Sequence, residues 1–112
     1  MSYIKFANET QLETKMINKV NIFSKGASRD ALEIFFNGAS HDFNELLEIA
    51  SNADNLGTLT VIDNDTAYLY PNYEIFHALK YENSEYVLTI GQLTEQEVKY
   101  NDLLARIEAL EK

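Results

Sequence analysis

Asp63-Asn64-Asp65 is the first cluster in this chain whose residue types could do chemistry. It opens like a calcium loop, in which carboxylate and amide oxygens alternate along the backbone. The full pattern also requires a Gly at the sixth position and a Glu at the twelfth. Counted from Asp63, those places hold Tyr68 and Glu74. Tyr does not make the sharp turn that Gly makes, so the triplet reads as a polar hairpin turn. His41 and His77 are the two imidazoles. Neither has a His or Asp partner at the helical i, i+4 spacing that presents two ligands to zinc. The chain has no Cys, which removes thiolate metal sites and disulfides together. Ser24, Ser28, Ser40 and Ser84 stand in no G-x-S-x-G elbow, and the glycines form no phosphate-cradling loop. The residues therefore predict no catalytic, cofactor-binding or metal-binding site, and the chain reads as a non-enzyme.

Aromatic side chains give a different signal. Tyr68, Tyr70, Tyr73, Phe76, Tyr81 and Tyr86 crowd into one third of the sequence. Strand alternation puts Tyr68 and Tyr70 on one face. Such a set can form a recognition platform, because Tyr offers large area at low entropy cost. It can equally stabilise a sheet through cross-strand pairs, the reading we favour here. With no Trp, a sugar-stacking platform lacks its best residue.

The elements that carry these residues are mostly strands. Alternating or β-rich stretches at 3–6, 12–17, 20–23 and 31–36 predict four strands, with Asn18-Lys19 as a tight connection and 25–28 as a loop. Asp42-Phe43-Asn44-Glu45 has capping-box form. Phe43, Leu46, Leu47 and Ala50 follow at i, i+3, i+4 and i+7, one face of a short helix. Stretches 58–62, 66–70, 73–81 and 85–90 predict further strands, with Pro71-Asn72 as an interruption. There is no βα repeat, which disfavours a doubly wound parallel sheet. The predicted fold class is α+β: mainly antiparallel sheet, one short packed helix and a C-terminal amphipathic helix. Residues 1–91 form the body and 92–112 the terminal helix, with Gly91 as a possible hinge.

That terminal helix is the most distinctive element. Thr94-Glu95-Gln96-Glu97 is a second capping box. Behind it Tyr100, Leu103, Ile107 and Leu110 are spaced three, four and three apart, an a/d seam free of Gly and Pro. These four are the candidate interaction residues, either for a coiled coil between copies or for packing on the body. About two heptads are too few for a stable isolated coiled coil, so association needs help from the body or from a larger assembly.

Composition limits the partners. Nine basic residues against 18 acidic ones give a formal charge of −9. That field repels phosphate backbones and anionic membranes, so nucleic acid and membrane are not expected partners. The acids are dispersed singly, without the dense runs that mimic nucleic acid. No apolar run approaches the 18 or so residues of a membrane span, and the N-terminus lacks the form of a signal peptide.

Several segments in order resemble a known group. They are Ile4-Lys5-Phe6, Leu12-Glu13, the run 26–36, Phe43-Asn44-Glu45-Leu46, the run 59–65, Tyr70-Pro71-Asn72-Tyr73 and the Glu- and Leu-rich end at 92–110. Together they resemble small proteins encoded in the tail and baseplate region of phages and prophages of Gram-positive bacteria. The resemblance implies a structural or tail-assembly role in the virion or the host cytoplasm. Its expected partners are other phage tail proteins and further copies of the chain. The alternative is an acidic phage-encoded regulator or inhibitor that acts on a host protein.

Overall fold

The structure is a computed structural model that describes residues 2–110. Position 1 of the predicted body and positions 111 and 112 of the predicted helix lie outside the described residues. The elements run β1 (Ser2–Lys5), β2 (Gln11–Thr14), β3 (Met16–Ser24), β4 (Ala27–Asn37), α1 (Phe43–Ser51), a 3-10 turn (Ala53–Asn55), β5 (Gly57–Asp63), β6 (Thr66–Glu82), β7 (Glu85–Gln92) and α2 (Glu95–Leu110). All strand pairs are antiparallel, in the order β2-β1-β5-β6-β7-β4-β3. The molecule is therefore a predominantly antiparallel sheet with two helices.

The two ends of that order are consecutive in the chain. β2 and β3 are separated by Lys15 alone, whose N–H donates to the Phe35 carbonyl at 2.7 Å. One nearly continuous strand thus pairs with β1 through its first half and with β4 through its second, and the sheet closes on itself. A closed sheet leaves no terminal strand to template aggregation. β6 makes the same move on the far side, pairing with β5 up to Tyr73 and with β7 from Tyr73 onward. Its ladder shifts register between Tyr73 and Ile75 and again between Phe76 and Ala78. Such irregularities bend a strand and let it turn a corner between two faces.

Local sequence explains the turns. Three hairpins close through two residues: Lys25-Gly26, Asn64-Asp65 and Asn83-Ser84. All six residues have positive φ, the geometry of a type I′ turn. Asn and Asp tolerate that region better than other side-chain-bearing residues. This accounts for Asp63-Asn64-Asp65 as a hairpin turn. Asn72 has φ of 65°, which lets β6 bend after Pro71 rather than stop there.

Inside the closed sheet lie Ile4, Phe6, Leu32, Ile34, Phe36, Leu59, Val61, Tyr73, Leu88 and Ile90. α1 adds Leu46 and Ala50 to this core. Its start is capped as the sequence predicts, with the Asp42 carboxylate accepting from the Glu45 N–H. Tyr81 and Tyr86 are cross-strand partners whose ring centroids lie 4.9 Å apart, and Tyr70 meets Tyr73 edge-on at 5.8 Å. These two pairs put the aromatic cluster to work as sheet packing.

Three local expectations are corrected. Asn18-Lys19 is mid-strand in β3, because cross-strand pairing with Leu32 and Glu33 continues through it; the break falls at Lys15. β6 runs through Pro71-Asn72 without ending. Gly91 is no hinge: it is buried in β7 and paired with Ala31 and Ile75.

Gly38 marks a backbone contact that the fold requires. Its N–H donates to the Ser84 carbonyl at 3.0 Å, tying the exit of β4 to the β6–β7 turn. A Cβ there would stand 2.5 Å from that oxygen and 2.9 Å from the Tyr81 ring. Gly38→Ala should lower the urea midpoint of unfolding by a loss of about 1–3 kcal/mol, the usual cost of overpacking. An unchanged midpoint would mean that the turn shifts freely.

Candidate functional site

The candidate site is built where β3, β4, β7 and α2 meet. Arg29, near the start of β4, has a side chain with no solvent exposure. Burying a guanidinium is costly unless every donor is satisfied. Here all five are. Nε and Nη2 donate to the Ser24 carbonyl at 3.2 and 2.9 Å, and Nη1 donates to the Gln92 carbonyl at 3.1 Å. Nη1 and Nη2 also reach the two Glu97 oxygens at 2.5 and 3.3 Å, a bidentate pair. The arginine thus holds the last residue of β3, the last of β7 and the first turn of α2 together.

Glu97 has a second task. Its carboxylate accepts from the Thr94 N–H at 2.8 Å, while its own N–H donates to Thr94 Oγ1 at 3.2 Å. This is the reciprocal capping box that the sequence predicts, and it satisfies N–H groups that a helix start otherwise leaves unpaired. The Arg29 hydrogen bond, helped by the Thr94 backbone, pushes the Glu97 carboxyl down to about 2. Gly91 completes the clamp by giving room: a Cβ there would lie 3.0 Å from Arg29 Cδ and 3.3 Å from Ile22 Cδ1.

Beyond this first turn α2 leaves the body. It has no buried residue, and 16 residues at about 1.5 Å each make a rod of about 24 Å. The molecule is accordingly elongated, 50 × 29 × 25 Å. The structure places Tyr100, Leu103, Ile107 and Leu110 along this rod, each between 42% and 86% exposed. Leu104, 39% exposed, adds a fifth apolar side chain that the a/d reading left out. Ion pairs Lys99–Glu95 and Arg106–Asp102 support the polar side of the helix at i, i+4 spacing. A depression of about 480 Å³ lies where the rod departs, lined by Ala27, Leu93, Gln96, Glu97, Tyr100 and Asn101 among others.

The residues weighed for catalysis are not brought together. His41 is held as structure: Nε2 lies 3.2 Å from the Glu13 carbonyl and the ring meets Phe36 edge-on at 5.1 Å. His77 is exposed on β6, next to its second register shift. Among the described residues no three His, Asp or Glu side chains are grouped to hold a metal, and no helix is long and apolar enough to cross a membrane. Tyr73 is buried in the core, which raises its hydroxyl pKa, with Asp30 adding to the effect.

Arg29 is the residue that sequence reasoning missed. The sequence carried no signal for it: strand alternation puts Arg29 on the face of β4 opposite the core residues Leu32, Ile34 and Phe36, where a charged side chain reads as facing solvent. Compared with known proteins, the chain matches no protein family, no curated protein and no solved structure.

Two outcomes follow from the clamp. Glu97→Ala removes the carboxylate from a buried cation and should lower the denaturant midpoint of unfolding, by less than the loss of a fully buried pair because Glu97 is itself 34% exposed. The pH dependence has a fixed sign. A carboxyl near 2 when folded and about 4.5 when unfolded contributes stability that is complete above the unfolded value. That contribution disappears as pH falls from about 4.5 through about 2. Thermal melting of Glu97→Gln across this window should therefore fall less steeply than that of the natural chain. Parallel curves would refute the assignment.

Proposed function

We propose that this chain is a non-enzymatic structural or assembly protein of a phage tail, acting through protein–protein contact made by α2. The observation that carries the reading is the apolar stripe of α2, exposed on a rod that its own body does not cover. Soluble proteins do not ordinarily leave such a row of large apolar side chains in water, and contiguous exposed patches mark interaction surfaces. Each large side chain of the stripe would contribute about 1.5–3 kcal/mol if fully buried against a partner. The virion or the host cytoplasm, and tail proteins as partners, come from the sequence resemblance to proteins of the tail and baseplate region.

A body that is stiff, closed and clamped suits this work. The closed sheet holds the start of α2 at a fixed position, and the clamp sets its direction. A partner gripping the rod is therefore held in a defined orientation to the barrel.

Mass spectrometry of purified phage particles tests the proposal directly, because it detects a virion component without knowing its neighbour. The expected result is the chain at a stoichiometry fixed relative to other tail proteins. Absence from particles and from assembly intermediates would overturn it. A basic host protein that binds the chain ever more weakly as salt rises would then favour the regulator.

A further inference from the structure

We propose that Lys19 guards an open stretch of sheet edge on β3 and keeps a second copy of this chain from pairing with it. This concerns the sheet and is independent of what α2 binds.

The open stretch comes from how the ring closes. The ring has no terminal strand, but the long strand that closes it is paired on one side in each half: β2 with β1, and β3 with β4. β1 covers only the part opposite Gln11 to Thr14. Among the described residues no strand continues the line of β1 beside β3. A depression of about 260 Å³, lined by Ser2, Lys15, Met16, Ile17, Val61 and Asp63, lies where β1 stops and the open stretch begins.

The ladder shows which backbone groups that edge offers. Ser24 and Ala27 close the two-residue turn of the β3–β4 hairpin. Bonding alternates from there, so Ser24, Ile22, Val20 and Asn18 turn their N–H and C=O groups toward β4. Ile17, Lys19, Asn21 and Phe23 turn theirs to the open edge. A row of such groups is a template for another strand.

Side chains of the same residues share one face of the strand. Ile17 and Lys19 are the register partners of Ile34 and Leu32, both in the core. Lys19 is therefore a charged residue on the core-facing side. It stays exposed because no strand lies beside it, and its Nζ stands 6.0 Å from the centre of the Tyr70 ring. An inward-phased charge of this kind blunts an edge, since an added strand would enclose it.

A second β3 laid antiparallel on the edge shows the conflict. Pairing 17–23 with 17–23 sets each Lys19 opposite Asn21 of the second copy. A shift of two residues sets Lys19 opposite Lys19. In the first register the ammonium groups lose water at the joint, and in the second they also repel each other. With an apolar residue at position 19, the row from Ile17 to Phe23 would suit pairing, because Phe23 is already 74% exposed and would gain cover.

Sedimentation at tens of micromolar compares the natural chain with Lys19→Val, Lys19→Arg and the combination of Lys19→Val with Phe23→Lys. Val favours strands, and Phe23→Lys returns a charge to the edge without touching the core. Lys19→Val should raise the apparent mass to at least about twice that of the natural chain. Lys19→Arg and the combined variant should both keep the natural mass, whatever association α2 contributes to it. Circular dichroism and cooperative unfolding check that each variant folds. Should Lys19→Val not fold, Lys19→Thr takes its place with the same expected rise. A folded Lys19→Val or Lys19→Thr of natural mass overturns the proposal. So does association that Phe23→Lys leaves in place, since it then arises away from this edge.

Discussion

The buried guanidinium of Arg29 is the constraint on which the functional half of the structure depends. It is a charge in a place without water, and it stays there only because five acceptor contacts meet its five donors. Those acceptors come from β3, β7 and α2, so satisfying the arginine fixes the three elements relative to one another. A well-packed apolar residue at the same place could have been as stable. It would not have specified direction. The bidentate fork onto Glu97 fixes both the position and the rotation of the first helical turn, which a hydrophobic contact would leave loose. Gly91 belongs to the same device, because any side chain there would push the guanidinium away from its acceptors.

The closed sheet supports this clamp. Ser24 and Gln92 present their carbonyls correctly only if the ends of β3 and β7 are held in place. Both strands flank β4 or follow it in the ring, and β4 carries the arginine. Closure through Lys15 and the bent β6 turns local strand pairing into a ring whose members cannot slip independently. The core side chains set the register, since a slip of one residue would turn every inward side chain outward. The chain from sequence to site therefore runs through hairpin turns, then register, then ring closure, and only then to the arginine.

Much of this was legible in the sequence where the signal is local. The caps at Asp42 and Thr94 depend on residues three apart: the Thr94 box is formed in full, and at Asp42 the N-cap half is formed, its carboxylate accepting from the Glu45 N–H. The polar triplet at Asp63 has the residue types of a tight turn, and it makes one. What was illegible depended on long-range pairing. Asn18-Lys19 has the composition of a turn, yet it is carried through β3 because β4 offers an unbroken partner strand. Pro71-Asn72 likewise looks like a stop, but Asn72 adopts positive φ and the strand bends and continues. Gly91 looked flexible by residue type and is fixed by its neighbours. Arg29 was missed for the same reason, as the three residues that accept from it lie 5, 63 and 68 positions away in sequence. For the stripe on α2 the sequence supplied periodicity, but exposure is a property of the whole molecule.

The clamp and the stripe divide the labour of one helix. An amphipathic helix in a small domain usually lays its apolar face on the body, which ends its availability to partners. Here the body grips α2 by a polar contact near its first turn and makes no use of the apolar row. Because the grip is a hydrogen-bonded ion pair, it holds the helix without consuming hydrophobic surface. The lone projecting rod is marginal as a helix in water, since most helical stability in proteins comes from tertiary packing. The capping box and the i, i+4 ion pairs offset part of that deficit, and burial of the stripe against a partner would supply the rest. A helix anchored at one end and uncovered along its length is therefore held ready for association, with its direction already set by the arginine beneath it.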